Sequence, residues 1–119
     1  LAVARPSHPL QLASGAHVTA GGVWTNSSSR TNKENIQVLS AEQASQALMA
    51  LDPVTFSYRA EPGEDYVGFI AEDVPELLAS RDRDALSAMD IVAVLTRVVQ
   101  QQQQQINALQ RRLDAHQGL

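Results

Sequence analysis

From Ala88 to His116, apolar residues return at steps of three and four, with one step of seven across Gln102, at Val92, Leu95, Val99, Ile106, Leu109 and Leu113. In a heptad frame Val92, Val99, Ile106 and Leu113 fall at position a, and Leu95, Gln102, Leu109 and His116 at position d. Six of these eight are aliphatic, the pattern of a helix that buries one narrow seam. No other feature constrains the fold as much, because a seam sustained over four heptads needs something long to lie against. The glutamine run from Gln100 to Gln105 does not break the frame, and glutamine is a good helix former. Gln102 puts a polar layer into the seam, a device that sets register and copy number at some cost in stability. The spacing predicts a helix over about 88–116 whose seam is a coiled coil. The competing reading is an amphipathic helix packed on its own domain. The a and d residues do not by themselves choose the number of strands.

The chain as a whole is small. Its 119 residues fit one domain. Of these, 44% are hydrophobic but only 4% aromatic, so the core is aliphatic, modest and improved by association. The net charge of −4, without a basic stripe, argues against nucleic acid as a main partner. Absence of cysteine removes disulfides and thiolate metal sites and leaves the redox compartment open. His8, His17 and His116 are too scattered to read as metal ligands, and no motif implies a cofactor. No apolar run is long enough for a membrane span. The chain opens on Leu1-Ala2-Val3 with no charged-then-apolar leader pattern, and is expected to be a piece of a longer protein.

Three sections follow from the residue pattern. Residues 1–26 carry short apolar runs, Leu10-Gln11-Leu12, His17-Val18-Thr19 and Val23-Trp24, punctuated by Gly15, Gly21 and Gly22. They predict short strands and turns at the end of an upstream β-rich stalk, with Trp24 as a packing anchor. In the second section, about 27–87, Ser40 and Gln43 form a capping box. Ala44, Ala47, Leu48 and Leu51 then share a helical face, and Pro53 ends that helix. Val54–Tyr58 and Tyr66–Ile70 read as antiparallel strands around the turn Glu61-Pro62-Gly63-Glu64-Asp65. Pro75 suits the start of a short helix bearing Leu77 and Leu78. Glu72, Asp73 and Glu76 read as helix-opening acids, and Arg81-Asp82-Arg83-Asp84 as a solvated charge run. The third section is the long helix. The fold class is α+β: a short β-stalk end, a small helix and β-hairpin, then the C-terminal helix.

One polar run bears on chemistry: Asn26-Ser27-Ser28-Ser29-Arg30-Thr31-Asn32-Lys33-Glu34-Asn35-Ile36. A serine hydroxyl is a weak nucleophile until a base takes its proton, and lysine is such a base only when neutral. Lys33 lies six, five and four residues after Ser27, Ser28 and Ser29. On the residues alone the run reads as a polar turn or as a nucleophile with its base.

Downstream, Leu51-Asp52-Pro53-Val54-Thr55-Phe56 and Gly68-Phe69-Ile70-Ala71-Glu72 precede the heptad helix. The polar run, these two segments and the helix, in that order, resemble the intramolecular chaperone auto-processing domain. That domain ends phage tailspikes and tail fibres such as endosialidase, and also sits inside myelin regulatory factor. The resemblance covers about residues 23–113. Ser28, Lys33 and Ile36 match the spacing of the family's serine, lysine and isoleucine. Two positions depart from it: Ser29 stands where the family has an acid, and Thr31 where it most often has arginine. The serine triplet leaves Ser27 and Ser29 as alternative nucleophiles to Ser28.

The resemblance implies a single-turnover self-cleaving serine peptidase with a Ser28–Lys33 dyad, needing no metal or cofactor and cutting before Ser28. It implies a domain over 27–119 that forms a homotrimer through its C-terminal helix, with its own upstream stalk as folding client. It also implies a phage particle or bacterial surface as the setting. The alternative is an assembly tip that trimerises a fibre without cutting.

Overall fold

Ser40 begins the first helix by closing its end with side chains. Its Oγ accepts the Gln43 N–H at 3.1 Å, and Gln43 Oε1 accepts the Ser40 N–H at 3.4 Å. Both halves of the capping box are therefore made. In the computed structural model, which describes residues 5–118, this helix, α1, spans Ala41–Met49. The ends of the expected stalk (1–26) and processing domain (27–119), residues 1–4 and 119, lie outside the described residues. By its contacts the chain divides into two units, Leu1–Gln37 and Val38–Leu119.

The first unit contains a three-stranded antiparallel meander, β1 (Leu10–Gln11), β2 (His17–Val18) and β3 (Trp24–Thr25), in the order β1-β2-β3. Leu10 pairs with Val18, and Val18 pairs in turn with Trp24. The β1–β2 turn is closed by the Leu12 N–H on the Ala16 carbonyl at 2.8 Å and the Gly15 N–H on the Leu12 carbonyl at 3.0 Å. Gly15 takes φ +96° there, a conformation that costs a residue with a Cβ. Trp24 is not the expected packing anchor. It stands half exposed, and its indole N–H donates to Asn26 Oδ1 at 2.7 Å. An indole needs a partner for its N–H, and here the neighbouring loop supplies one.

The second unit holds α1, the hairpin of β4 (Val54–Phe56) and β5 (Tyr66–Gly68), and α2 (Ala88–Gln117). The mixed α+β class read from the residues holds, and the bounds of α2 fall within a residue of those expected. The strands are shorter than the alternation predicts, because pairing runs only from Val54–Gly68 to Phe56–Tyr66. Helix α1 stops at Met49 with Ala50 as its cap, a turn before Pro53. Single-turn 3-10 helices, Ala71–Asp73 and Glu76–Leu78, lead from the hairpin toward α2.

The core of this unit is aliphatic. Ala44 and Ala47 of α1, Val74 and Leu78 of the 3-10 turns, and Val94 and Val98 of α2 are buried together. Leu39, Leu48, Leu51, Phe69, Leu86 and Ile91 pack around them. Two alanines on α1 let the facing helix come close, and Ser45 Oγ donates across to Gln101 Oε1 at 3.3 Å. Helix α2 thus meets its own unit through Ile91, Val94, Val98 and Gln101, spaced three, four and three residues apart. This stripe lies one residue away from the heptad seam. Val92, Leu95, Val99, Ile106, Leu109 and Leu113 all remain between 42% and 61% exposed in the single chain.

The charge run 81–84 is not merely solvated. Arg83 is half-buried at φ +52°, and donates one nitrogen to the Val74 carbonyl at 3.1 Å and another to Glu76 Oε2 at 2.7 Å. Neither Ala71–Asp73 nor Glu76–Leu78 has a side-chain cap, so Glu76 serves as an ion-pair partner and not as a cap.

Candidate functional site

The three consecutive serines of the polar run have three different partners. Ser29, with φ −63° and ψ 142°, caps a single 3-10 turn, Arg30–Asn32. Its Oγ accepts the Thr31 N–H at 3.3 Å and shares a hydrogen bond with Thr31 Oγ1 at 2.9 Å. The Asn32 N–H on the Ser29 carbonyl and the Lys33 N–H on the Arg30 carbonyl, both at 3.1 Å, close the turn. This reversal brings the following residues back over the preceding ones. Lys33 Nζ donates to Ser28 Oγ at 2.6 Å, and Asn32 Nδ2 donates to Ser27 Oγ at 3.1 Å.

Two rungs at a spacing of five thus lie side by side, Ser27–Asn32 and Ser28–Lys33. Thr31 serves the turn. Asn35 then takes φ +53°, a left-handed conformation that asparagine tolerates better than most residues. Ser28 and Lys33 are exposed in the single chain, whereas Ser27 is half-buried. A hydroxyl within hydrogen-bond reach of an amine meets the first geometric condition for base-assisted attack.

Sequence reasoning favoured Ser28 by its spacing to Lys33, kept Ser27 and Ser29 as alternatives, and passed over Asn32, whose bond to Ser27 depends on the 3-10 turn. The imidazoles of His8 and His17 stack at 3.8 Å with an interplanar angle of 15°, and His17 Nδ1 lies 2.9 Å from the Gly15 carbonyl. Among the described residues no cluster of three or more metal-ligating side chains occurs, and no helix is long and apolar enough to cross a membrane. In the second unit, an apolar groove of about 440 Å³ beside the hairpin is lined by Phe56, Phe69 and Leu86 with Glu72 and Asp84, and offers no nucleophile beside a base.

Residues 28–82 match a family model that is named as a peptidase and described as the chaperone of endosialidase. Over these residues the chain is similar to a chaperone-of-endosialidase domain. The match to this chaperone domain opens on Ser28, takes in the 3-10 turn, α1, the hairpin and both later 3-10 helices, and stops before α2. It spans just under half of the chain. The comparisons returned no matching curated protein and no matching solved structure.

Proposed function

We propose that this chain is a C-terminal intramolecular chaperone that trimerises an upstream fibre or adhesin-like protein and then releases itself by cutting between Ser27 and Ser28. The observation that carries this reading is the 2.6 Å approach of Lys33 Nζ to Ser28 Oγ, at the residue where the chaperone-domain match begins. On this reading residues 1–26 are the end of the client stalk. Residues 27–119 are the processing domain, although the cut leaves Ser27 on the client.

The chemistry is one acyl transfer per chain. Neutral Lys33 takes the proton of Ser28 Oγ as the oxygen attacks the Ser27 carbonyl carbon. The tetrahedral intermediate collapses by breaking the Ser27–Ser28 C–N bond. The lysine ammonium returns its proton to the departing Ser28 nitrogen, and an ester joins the Ser27 acyl group to Ser28 Oγ. Water then hydrolyses the ester, leaving a Ser27 carboxylate and Ser28 as a new N-terminus with its hydroxyl restored. A neutral amine is favoured by loss of water from around it. On this reading, association of three copies supplies such surroundings and couples the cut to assembly. Once the cut is made, the upstream stalk no longer shares a chain with its chaperone, and its persistence becomes a matter of unfolding rate.

A second reading, an assembly tip that never cuts, draws on the exposure of both Ser28 and Lys33 in the single chain. Intact mass of the chain expressed with its native upstream sequence, beside Ser28→Ala and Lys33→Ala, separates the two. The peptidase reading expects the wild type to split between Ser27 and Ser28 and both variants to stay whole. A wild type that stays whole while sedimenting as a trimer leaves only the assembly tip.

A further inference from the structure

The nucleophile's side of the scissile bond is held by Lys33, and the acyl side is held as well. Ser27, whose carbonyl is attacked in the reaction proposed above, is half-buried between two neighbours. On one side Asn32 Nδ2 donates to its Oγ at 3.1 Å. On the other lies the β1–β2 turn, where a Cβ placed on Gly15 would stand 3.3 Å from Ser27 Oγ and 3.5 Å from Ser27 Cβ. Asn32 is itself fixed, since its N–H is bound to the Ser29 carbonyl at 3.1 Å.

We infer that Asn32 is a positioning residue for the self-cleavage, holding Ser27 against the Gly15 turn so that its carbonyl carbon faces Ser28 Oγ. This rests on the peptidase reading and deepens it. Attack by a side chain on the carbonyl just before it closes a five-membered ring, which needs the torsions on both sides of the scissile bond to be set together. Lys33 restrains one side by its bond to Ser28 Oγ, and Asn32 restrains the other by its bond to Ser27 Oγ. Holding reacting atoms close to their attack geometry is a large source of rate, and small misplacements are costly. The Asn32–Ser27 bond also joins the two fragments-to-be, so it acts only before the cut is complete.

The test is the first-order rate of self-cleavage of the full chain with its native upstream sequence, followed by mass spectrometry. Asn32→Leu, Ser27→Ala and the double variant are compared with wild type and Lys33→Ala, with trimer content measured by sedimentation. Each single variant is expected to cut about three- to tenfold more slowly, the scale of one lost hydrogen bond. The double variant is expected to be no slower than the slower single, with trimer content unchanged. Single variants that cut at the wild-type rate while Lys33→Ala is inert overturn the inference and leave the peptidase reading standing. Multiplying losses in the double variant, or losses that track a fall in trimer content, also overturn it. A wild type that never cuts removes the peptidase reading and the inference with it.

Discussion

Val98 and Val99 are consecutive and chemically identical, yet Val98 is 6% exposed against the α1 core while Val99 is 59% exposed on the open seam. One step along a helix turns a side chain by about 100°, so neighbouring residues here belong to two different jobs. Val98→Ala should lower the stability of the Val38–Leu119 unit by roughly 1–3 kcal/mol, from lost burial and the cavity left behind. Val99→Ala should cost that unit under about 0.5 kcal/mol but weaken association. Denaturant melts at two protein concentrations, with sedimentation, check both: only the seam variant should make the midpoint more dependent on concentration.

Arg83 joins the Val74 carbonyl to the Glu76 carboxylate. Arg83→Ala should destabilise the unit by about 1–2 kcal/mol, because it unties a buried stretch of backbone as well as a surface pair. Glu76→Ala removes only the pair, in which the Glu76 side chain is itself nearly fully exposed, and should cost under about 1 kcal/mol. Arg83→Lys should fall between them, since an ammonium cannot span both acceptors as the guanidinium fork does. Urea unfolding at fixed protein concentration ranks the three.

Gly15→Ala meets two penalties, φ +96° and a contact of 3.3 Å to Ser27 Oγ. It should loosen the β1–β2 turn by about 1–2 kcal/mol. The check is faster amide exchange at Leu12 and Gly15, the two N–H groups that close the turn.

The Tyr66 hydroxyl donates to the Glu61 carboxylate across the hairpin. That bond first, then partial loss of solvent and the nearby Tyr58, hold the phenol above its ordinary value of 10.0. A phenol with a raised pKa stabilises the fold fully below the unfolded value and loses that contribution as pH rises through the folded one. Tyr66→Phe should therefore flatten the alkaline end of the stability curve, above about pH 10, and leave its dependence near neutrality alone. Melts between neutral and strongly alkaline pH check this.

Local signals in the chain were legible where one residue's chemistry decides them. Ser40 and Gln43 announced the α1 cap, and the heptad frame announced α2 almost to the residue. The stripe Ile91, Val94, Val98 was hidden because it runs beside the stronger seam, and a helix with two adjacent apolar stripes reads as one broad face. Arg83 was hidden because its partner is a backbone carbonyl nine residues away, which no charge pattern reveals. The separate partners of Ser27, Ser28 and Ser29 depend on a single 3-10 turn, and three identical residues in a row carry no periodicity from which that turn could be read.

The core contacts of α2 end at Val98, a bond from α1 reaches Gln101, and farther on the described side-chain hydrogen bonds join Gln103 to Asn107 and Gln110 to Asp114 within the helix. The remaining stretch, Gln102–Gln117, is roughly 24 Å of helix, a length that is marginal in water on its own. On the trimer proposed above, its order would come from association. In a lone copy these turns would open and close independently of the compact part, and they would become slow-exchanging only when copies have met. If the copies associate as proposed, the outer half of α2 would report that event at Ile106 and Leu113 while the core shows nothing changing.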